Sequence, residues 1–303
     1  MATPAPPPDE RDATRGLLLG ALGVLIFAAT LPMTRLAVGD IAAPQLPPAF
    51  VTAGRAAVAG LLSLAWLALL RVPPPARRHW PALALSALGT VLGFPLFLSL
   101  ALRRVDAMHA AVVTGVLPLA TAAVAALVLR QRASAGFWAC AVGGCALVVG
   151  FAAWRGSGAL TAADGLLLLA VACAAVGYVA GAQVAATLPA AQVICWVLVL
   201  SLPAVLPLAW WLRPQQPASP AAWAGFAYVS LFSMWLGFFA WYRGLALGGV
   251  MRVSQVQLLQ PFLALLLAVP LLGERLDTAT VGFALAVMAV VFVGRRMPVG
   301  TGR

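Results

Sequence analysis

The chain has 303 residues, of which 63% are apolar and only 9% are charged. Soluble globular proteins average about 45–50% apolar and about 25% charged residues. A water-soluble fold of this size could not cover its surface with so few charges, which excludes a soluble enzyme, a disordered chain and a secreted disulfide scaffold. What remains is an all-α integral membrane protein with several transmembrane helices.

All 19 basic residues are arginine, and eight acidic residues oppose them, which gives a net charge of +11. The arginines stand singly or in pairs between apolar runs, which is typical of loop charges beside lipid head groups and not of a nucleic-acid surface. The four cysteines lie inside apolar runs, with no C-x-x-C pair and no Cys/His cluster. The sequence therefore predicts contact with a lipid bilayer and no nucleic acid, metal or cofactor.

The first fifteen residues are rich in proline and acidic side chains, so residues 1–15 are predicted to be a disordered tail before a retained first helix. A helix needs about 20 apolar residues to cross a bilayer, and charged or proline-rich breaks divide the chain into ten such runs. In chain order, spans 1 to 10 are predicted at Gly16–Thr34, Phe50–Leu70, Pro81–Leu102, Ala107–Leu129, Ala133–Trp154, Gly165–Leu188, Ala190–Leu212, Ala221–Leu247, Val250–Leu272 and Thr278–Gly294. Pro189 marks the predicted turn between spans 6 and 7, inside a stretch without charge.

The arginine distribution predicts the orientation. With the N-terminus in the cytoplasm, twelve arginines fall in inner loops and tails and six fall in outer loops. Cytoplasmic loops carry the excess of positive charge in membrane proteins. Both chain termini are therefore predicted to be cytoplasmic.

The chain contains an internal repeat. An offset of 143 residues aligns Trp80 with Trp223, Thr90 with Ser233, Met108 with Met251 and Pro118 with Pro261. The first repeat is predicted at residues 16–154 and the second at 165–294, followed by a tail at 295–303. Because each half has five spans, the second half must enter the membrane inverted. Inverted repeats are typical of secondary transporters, whose substrate site lies near the midplane between the halves.

Span 9 carries the most polar candidate site. Gln257 and Gln260 share one helix face, and Pro261 loosens the backbone carbonyl one turn earlier. Two roles stay open for the glutamines, because they either line a cavity for a polar or zwitterionic solute or join helices by hydrogen bonds. Their counterparts in the first repeat are Thr114 and Pro118, so the predicted site is lopsided toward the second half.

Aromatic and charged positions complete the candidate set. Ser233 and Trp235 lie near the centre of span 8, and Tyr178 lies in span 6; each aromatic ring is open to a packing or a recognition role. Arg55, five residues into span 2, binds either helix-end carbonyls or a substrate carboxylate. His79 lies at the inner mouth of span 3. No acidic residue is predicted inside a span, which favours facilitated, uncoupled movement of solute over proton-driven transport.

Three features of the sequence resemble the ten-helix, EamA-type members of the drug/metabolite transporter superfamily. The fourth helix of each repeat has a central proline, in VTGVLPLATA and in QLLQPFLALL. That helix ends in a short charged turn, RQRAS at 130–134 in the first repeat and GERLD at 273–277 in the second. An arginine follows the start of span 2, in FVTAGRAAVAG. The family usually has glutamate at the charged turn, and this chain has Glu274 in the second repeat but Gln131 in the first.

The resemblance implies a bacterial inner-membrane exporter of amino acids, neutral or aromatic, or of related small metabolites. It also implies alternating access, with both halves lining a central cavity and a monomer sufficient for transport. A multidrug or toxic-compound exporter is the alternative within the same class, and an intramembrane enzyme is the alternative in another class. No H-E-x-x-H motif or pair of membrane aspartates supports the enzyme.

Overall fold

The structure is a computed structural model that describes residues 10–128, 132–155, 160–248, 256, 259–297 and 299–300. Within these residues, eight helical segments are long and apolar enough to cross a membrane, and they fall on predicted spans 1 to 8. Two apolar helices are shorter, Gln260–Leu272 and Thr278–Gly294. They fall on predicted spans 9 and 10.

Five spans are single helices, four are interrupted, and span 9 is described only in part. The single helices are Pro48–Leu69 (span 2), Ala135–Arg155 (span 5), Ala162–Ala185 (span 6), Ala190–Trp211 (span 7) and Thr278–Arg296 (span 10). Span 1 consists of the helices Glu10–Ala28 and Thr30–Val38, and span 4 consists of Ala107–Thr114 and Leu117–Val128. Span 3 consists of a 3-10 turn Arg77–His79, a helix Trp80–Ser86, a π-helical segment Ala87–Gly93 and a helix Phe94–Leu102. Span 8 consists of a helix Pro220–Tyr228, a π-helical segment Val229–Leu236 and a helix Gly237–Gly248, and the described part of span 9 is the helix Gln260–Leu272. Two-residue strands, Arg132–Ala133 and Val299–Gly300, form one antiparallel pair.

Two boundaries can be compared directly with the sequence. Pro189 is the N-cap of the span 7 helix, as predicted. The first helix begins at Glu10, inside the segment predicted to be disordered. Glu10 and Asp12 lie in its first turn, where negative charge is favourable beside the positive end of the helix dipole.

The repeat is visible in local structure. The π-helical segments of spans 3 and 8 end at Gly93 and Leu236, which are 143 residues apart. Ser134 accepts a hydrogen bond from the Phe137 amide at the start of span 5, and Asp277, 143 residues later, accepts one from the Thr280 amide at the start of span 10. The same sequence offset therefore reproduces the same irregularity and the same helix cap.

The helices pack across the two repeats in a symmetric way. Span 1 packs against span 8, span 6 against span 3, span 2 against span 7 and span 5 against span 10. Spans 1 to 5 of the first repeat correspond to spans 6 to 10 of the second. Under this correspondence the pair of spans 1 and 8 becomes the pair of spans 6 and 3, whereas the pair 2 and 7 and the pair 5 and 10 each stay the same pair. This pattern is that of two inverted halves related by a pseudo-twofold axis.

Small residues permit the closest of these contacts. A Cβ atom added to Gly244 of span 8 would lie 2.6 Å from the Gly20 amide nitrogen of span 1. A Cβ atom added to Gly89 of span 3 would lie 2.4 Å from the Cys173 carbonyl oxygen of span 6. Backbones meet directly in both places, as is usual for helix pairs in lipid.

Candidate functional site

Arg55 is buried in the bundle and joins three spans. It is the eighth residue of the span 2 helix, about 10 Å along the helix axis from its first residue, and only 3% of its surface is exposed. Its Nη2 donates a hydrogen bond to Ser233 Oγ at 3.0 Å. The Ser233 hydroxyl in turn lies 2.8 Å from Thr30 Oγ1 of span 1.

The rest of the Arg55 guanidinium has no partner among the residues that the structure describes. Nε and Nη1 are buried and make no hydrogen bond there, and no carboxylate of these residues is within ion-pair distance. An unpaired charge at low dielectric is costly, so such a group in a native fold needs an explanation. Of the two roles left open by the sequence, the contact with helix-end carbonyls is not found. The side chain does not extend to the membrane surface either.

Two aromatic residues of spans 6 and 8 complete the candidate set. Tyr178 lies in the span 6 helix and is 37% exposed. Trp235, two residues after Ser233, has its indole Nε1 buried without a hydrogen-bond partner. Its ring packs edge-on against Phe239, with ring centroids 5.1 Å apart. The site therefore combines unused N–H donors with aromatic surface.

The π-helical segment explains how span 8 presents these groups. Ser233 and Trp235 both lie within Val229–Leu236, where the wider helical turn alters the direction of successive side chains. In the equivalent segment of span 3, Thr90 donates its hydroxyl proton to the Ser86 carbonyl of its own helix at 2.7 Å. The first repeat thus has no counterpart of the Ser233 contact, so the site is lopsided toward the second half through span 8.

The remaining predicted residues are not hydrogen-bonded to Arg55. Gln260 is the half-buried first residue of its helix, and Thr114 donates to the Ala110 carbonyl of its own helix at 2.7 Å. Gln257 lies outside the described residues. His79 accepts a hydrogen bond from Arg78 Nε at 3.3 Å near the protein surface, beyond the far end of span 2.

The two predicted hinge prolines occupy equivalent places. Pro118 and Pro261 are each the second residue of a helix that begins partway along its span, at Leu117 and at Gln260. Proline has no backbone N–H, but in the first turn of a helix that N–H would have no carbonyl partner within the helix. Proline is therefore tolerated at this position. The helices that contain these prolines therefore begin at the same point of the two repeats.

The expectation that no acidic residue lies inside a span was wrong. Asp164 is in the first turn of span 6, is 1% exposed, and lies 2.6 Å from His109 Nε2 of span 4. Asp164 and Thr161 form a capping box, with Thr161 N donating to Asp164 Oδ2 at 2.8 Å. The T-x-x-D pattern could have placed Asp164 within the helix from sequence alone, but nothing in the sequence pairs it with His109.

A polar network joins the loops at the end of the bundle opposite Glu10 and Arg296, here called the distal end (residues 39–47, 103–106, 160–161, 212–219 and 273–277). Glu274 accepts hydrogen bonds from the Ala107 and Met108 amides at 2.7 and 2.9 Å. Arg155 lies 3.3 Å from Asp277 and 3.8 Å from Asp106. The network ties span 4 to spans 5, 9 and 10.

Comparison with known proteins gives consistent results. The profile of the EamA-like transporter family matches residues 14–153 and 161–295, one match for each half. A protein of Bacillus subtilis (strain 168), named "Uncharacterized transporter YdeK", is 44% identical over 285 residues, which cover 93% of this chain and 98% of that protein. A solved structure titled "Crystal structure of protein" superposes with a TM-score of 0.61 at 19% identity, over 93% of this chain and 96% of the other, which shows the fold alone.

These matches confirm the resemblance seen in the sequence and the ten-helix, two-repeat fold. The chain is thus a multi-pass membrane transporter, and it belongs to the EamA-like transporter family of the drug/metabolite transporter superfamily.

Proposed function

We propose that this transporter exports neutral or aromatic amino acids, or related small metabolites that carry a carboxylate, from a bacterial cell across its inner membrane. Both termini are cytoplasmic, and the two halves provide alternating access to one site within a single chain. The observation that supports this proposal is the buried Arg55, whose Nε and Nη1 have no partner. A carboxylate binds these two donors in the bidentate geometry that the guanidinium favours.

The neighbours of Arg55 suit the rest of such a substrate. Trp235 and Tyr178 offer aromatic surface to an apolar or aromatic side chain. The proposed polar contacts are Ser233, Thr114, Gln257 and Gln260, and the halves move about Pro118 and Pro261. A cationic drug is disfavoured, since it would approach an uncompensated positive charge.

We also propose that movement is facilitated by the solute's own gradient. Asp164, in the first turn of span 6, is hydrogen-bonded to His109 and not to Arg55. His79, the other titratable candidate, lies near the protein surface. Neither group is in contact with the substrate site.

Reconstituted vesicles test the proposal. Proteoliposomes are loaded with labelled phenylalanine or leucine, or with the cation tetraphenylphosphonium, and efflux is measured with and without a pH gradient. We expect amino-acid efflux above that of empty vesicles, unchanged by the pH gradient and abolished by Arg55→Gln. The matched control is Arg213→Gln, because Arg213 lies over the exposed Trp210 ring at the distal end.

Two results would contradict the proposal in different ways. Acceleration by the pH gradient would exclude uncoupled movement. Efflux of tetraphenylphosphonium that survives or rises in Arg55→Gln would favour the multidrug exporter. His79→Gln gives a further comparison, since a proton-coupled role for His79 would make that variant insensitive to the gradient.

A further inference from the structure

Within the part of the chain that the structure describes, no carboxylate is paired with Arg55. Only eight acidic residues exist, and each can be accounted for. Three lie in the N-terminal segment, namely Asp9, Glu10 and Asp12. Four lie in or beside the distal loops, namely Asp40, Asp106, Glu274 and Asp277. The eighth, Asp164, is hydrogen-bonded to His109. Because the described residues supply no counter-ion, a molecule from outside the protein can provide the negative charge that neutralises Arg55.

The unpartnered groups at the site are all donors. Arg55 Nε, Arg55 Nη1 and Trp235 Nε1 are N–H groups that cannot accept a hydrogen bond. Ser233 and Thr30 already share a hydrogen bond with each other. The site therefore offers good partners to an anionic group and no negative charge to an ammonium group.

From these two observations we propose that the preferred substrate carries a net negative charge, namely an apolar or aromatic carboxylate whose amino group is absent or acylated. This inference rests on the proposed function and narrows its substrate class. A zwitterionic amino acid would place its ammonium group among N–H donors beside a positive charge. An N-acyl amino acid presents the same carboxylate and side chain without that repulsion, and its acyl oxygen is an acceptor for Trp235 Nε1.

A charged substrate makes transport electrogenic. Arg55 stays in the protein throughout the cycle, so each turnover moves one negative charge across the bilayer. The membrane potential, negative inside, drives anions outward. Export against a moderate concentration difference then needs no coupling ion, which agrees with the lack of a carboxylate beside Arg55.

The test uses three probes that differ only around the amino group: N-acetylphenylalanine (anion), phenylalanine (zwitterion) and phenethylamine (cation). Proteoliposomes containing valinomycin and a tenfold potassium gradient set the potential. We expect N-acetylphenylalanine to be the fastest of the three, to be driven outward by a negative interior and inward by a positive one, and to approach a concentration ratio of about tenfold, equal to the potassium ratio. Phenylalanine flux should be smaller and insensitive to the potential.

Variants and a binding measurement separate the outcomes. Arg55→Gln should abolish the N-acetylphenylalanine flux, and Arg213→Gln should leave it unchanged. N-acetylphenylalanine should raise the melting temperature of the wild type but not of Arg55→Gln, whereas chloride or inorganic phosphate should not raise it. Equal stabilisation by chloride or phosphate would overturn the carboxylate class and show a general anion site.

Failure of this inference differs from failure of the proposed function. Arg55-dependent phenylalanine flux that ignores the potential, together with no N-acetylphenylalanine flux, would overturn the anion inference and leave amino-acid export standing. In that case the Trp235 and Tyr178 rings would be the remaining partners for the ammonium group. No Arg55-dependent flux of any probe would overturn both.

Discussion

Arg55 occupies a place where an arginine is unfavourable for folding. Its single partner, Ser233, is a neutral hydroxyl, and two of its nitrogen atoms have no partner. Residues that serve substrate binding are often retained at the expense of stability. The arginine is therefore better explained by what it binds than by what it holds together.

Arg55→Met should stabilise the protein while abolishing transport. Methionine fills similar space and removes the buried charge, so we expect the free energy of unfolding to rise by about 1–3 kcal/mol. The measurement is the melting temperature in detergent, beside carboxylate efflux from vesicles. Arg103→Met is the control, because Arg103 donates to the Val38 and Leu46 carbonyls and its loss should destabilise. A less stable Arg55→Met protein would indicate a structural role.

Trp235→Phe should weaken substrate binding without affecting folding. Phenylalanine keeps a ring beside Phe239 and removes only the unpartnered Nε1 donor. We expect KM to rise about 3- to 10-fold with kcat little changed, which corresponds to one lost hydrogen bond. Trp210→Phe, at a tryptophan that is 73% exposed, serves as the control. An unchanged KM would remove Trp235 from the site.

The sequence identified Arg55, Ser233, Trp235 and Tyr178 as candidates but could not bring them together. Arg55 and Ser233 are 178 positions apart, and only packing decides which buried polar side chains meet. The sequence also left the depth of the Arg55 side chain open, because the same position in a helix can lead to the membrane surface or to the interior. The pairing of His109 with Asp164 was missed for the same reason.

The fold is built from pairs of packed helices, and glycine residues determine how closely the two helices of a pair approach. The contact between Gly244 and Gly20 joins span 8, which holds Ser233, to span 1, which holds Thr30. Separation of these two helices would open the hydrogen bond between Ser233 and Thr30. The geometry of the site thus depends on a glycine contact well away from it.

Gly244→Val should destabilise the protein and impair transport. The new Cβ atom would lie 2.6 Å from a backbone nitrogen, which cannot move aside as a side chain would. We expect a loss of about 1–3 kcal/mol, measured as a lower melting temperature and a lower folded yield. Gly282→Val is the matched control, since a Cβ there meets nothing within 4 Å. Equal stability of the two variants would show that the close contact is unimportant.

Hydrophobic runs and breaks were sufficient to predict the spans, including the turn at Pro189. They could not predict the π-helical segments, since Ala87–Gly93 and Val229–Leu236 have no distinctive composition. Such segments form where packing against neighbouring helices compensates for a wider turn. The 143-residue repeat did indicate that any irregularity in span 3 should recur in span 8.

The molecule as a whole is closed at its distal end by contacts between the repeats. Glu274, from the loop between spans 9 and 10, accepts hydrogen bonds from the first amides of span 4. Burial raises the pKa of the Glu274 carboxyl above its usual 4.5, and the two amide donors oppose that rise. Asp277 differs, because hydrogen bonds from Thr280 lower the pKa of its carboxyl below 3.8.

These opposite shifts predict a specific pH dependence of stability. Glu274 binds its proton more readily in the folded than in the unfolded state, so the folded protein loses stability as pH rises from 4.5 through the raised pKa. The contribution of Asp277 is lost only as pH falls below 3.8, outside this window. We expect Glu274→Gln to remove the dependence above pH 4.5, measured as melting temperature against pH. Parallel curves for the two proteins would contradict the assignment.

The overall arrangement was the most predictable level, because an odd number of spans per repeat requires inversion. The paired contacts of spans 1 and 8 and of spans 6 and 3 follow from that symmetry. What symmetry could not predict is where it fails, since Thr90 and Ser233 are equivalent in sequence but differ in their hydrogen bonds.

This failure of symmetry has a kinetic consequence. In a carrier with two identical halves, the inward-open and outward-open states would have equal energy. The substrate would then bind equally well from either face of the membrane. Here the hydroxyl that touches Arg55 comes from one half only. The two orientations therefore differ in energy, so half-saturation and maximal velocity should differ between the two faces of the membrane even though the final equilibrium is the same.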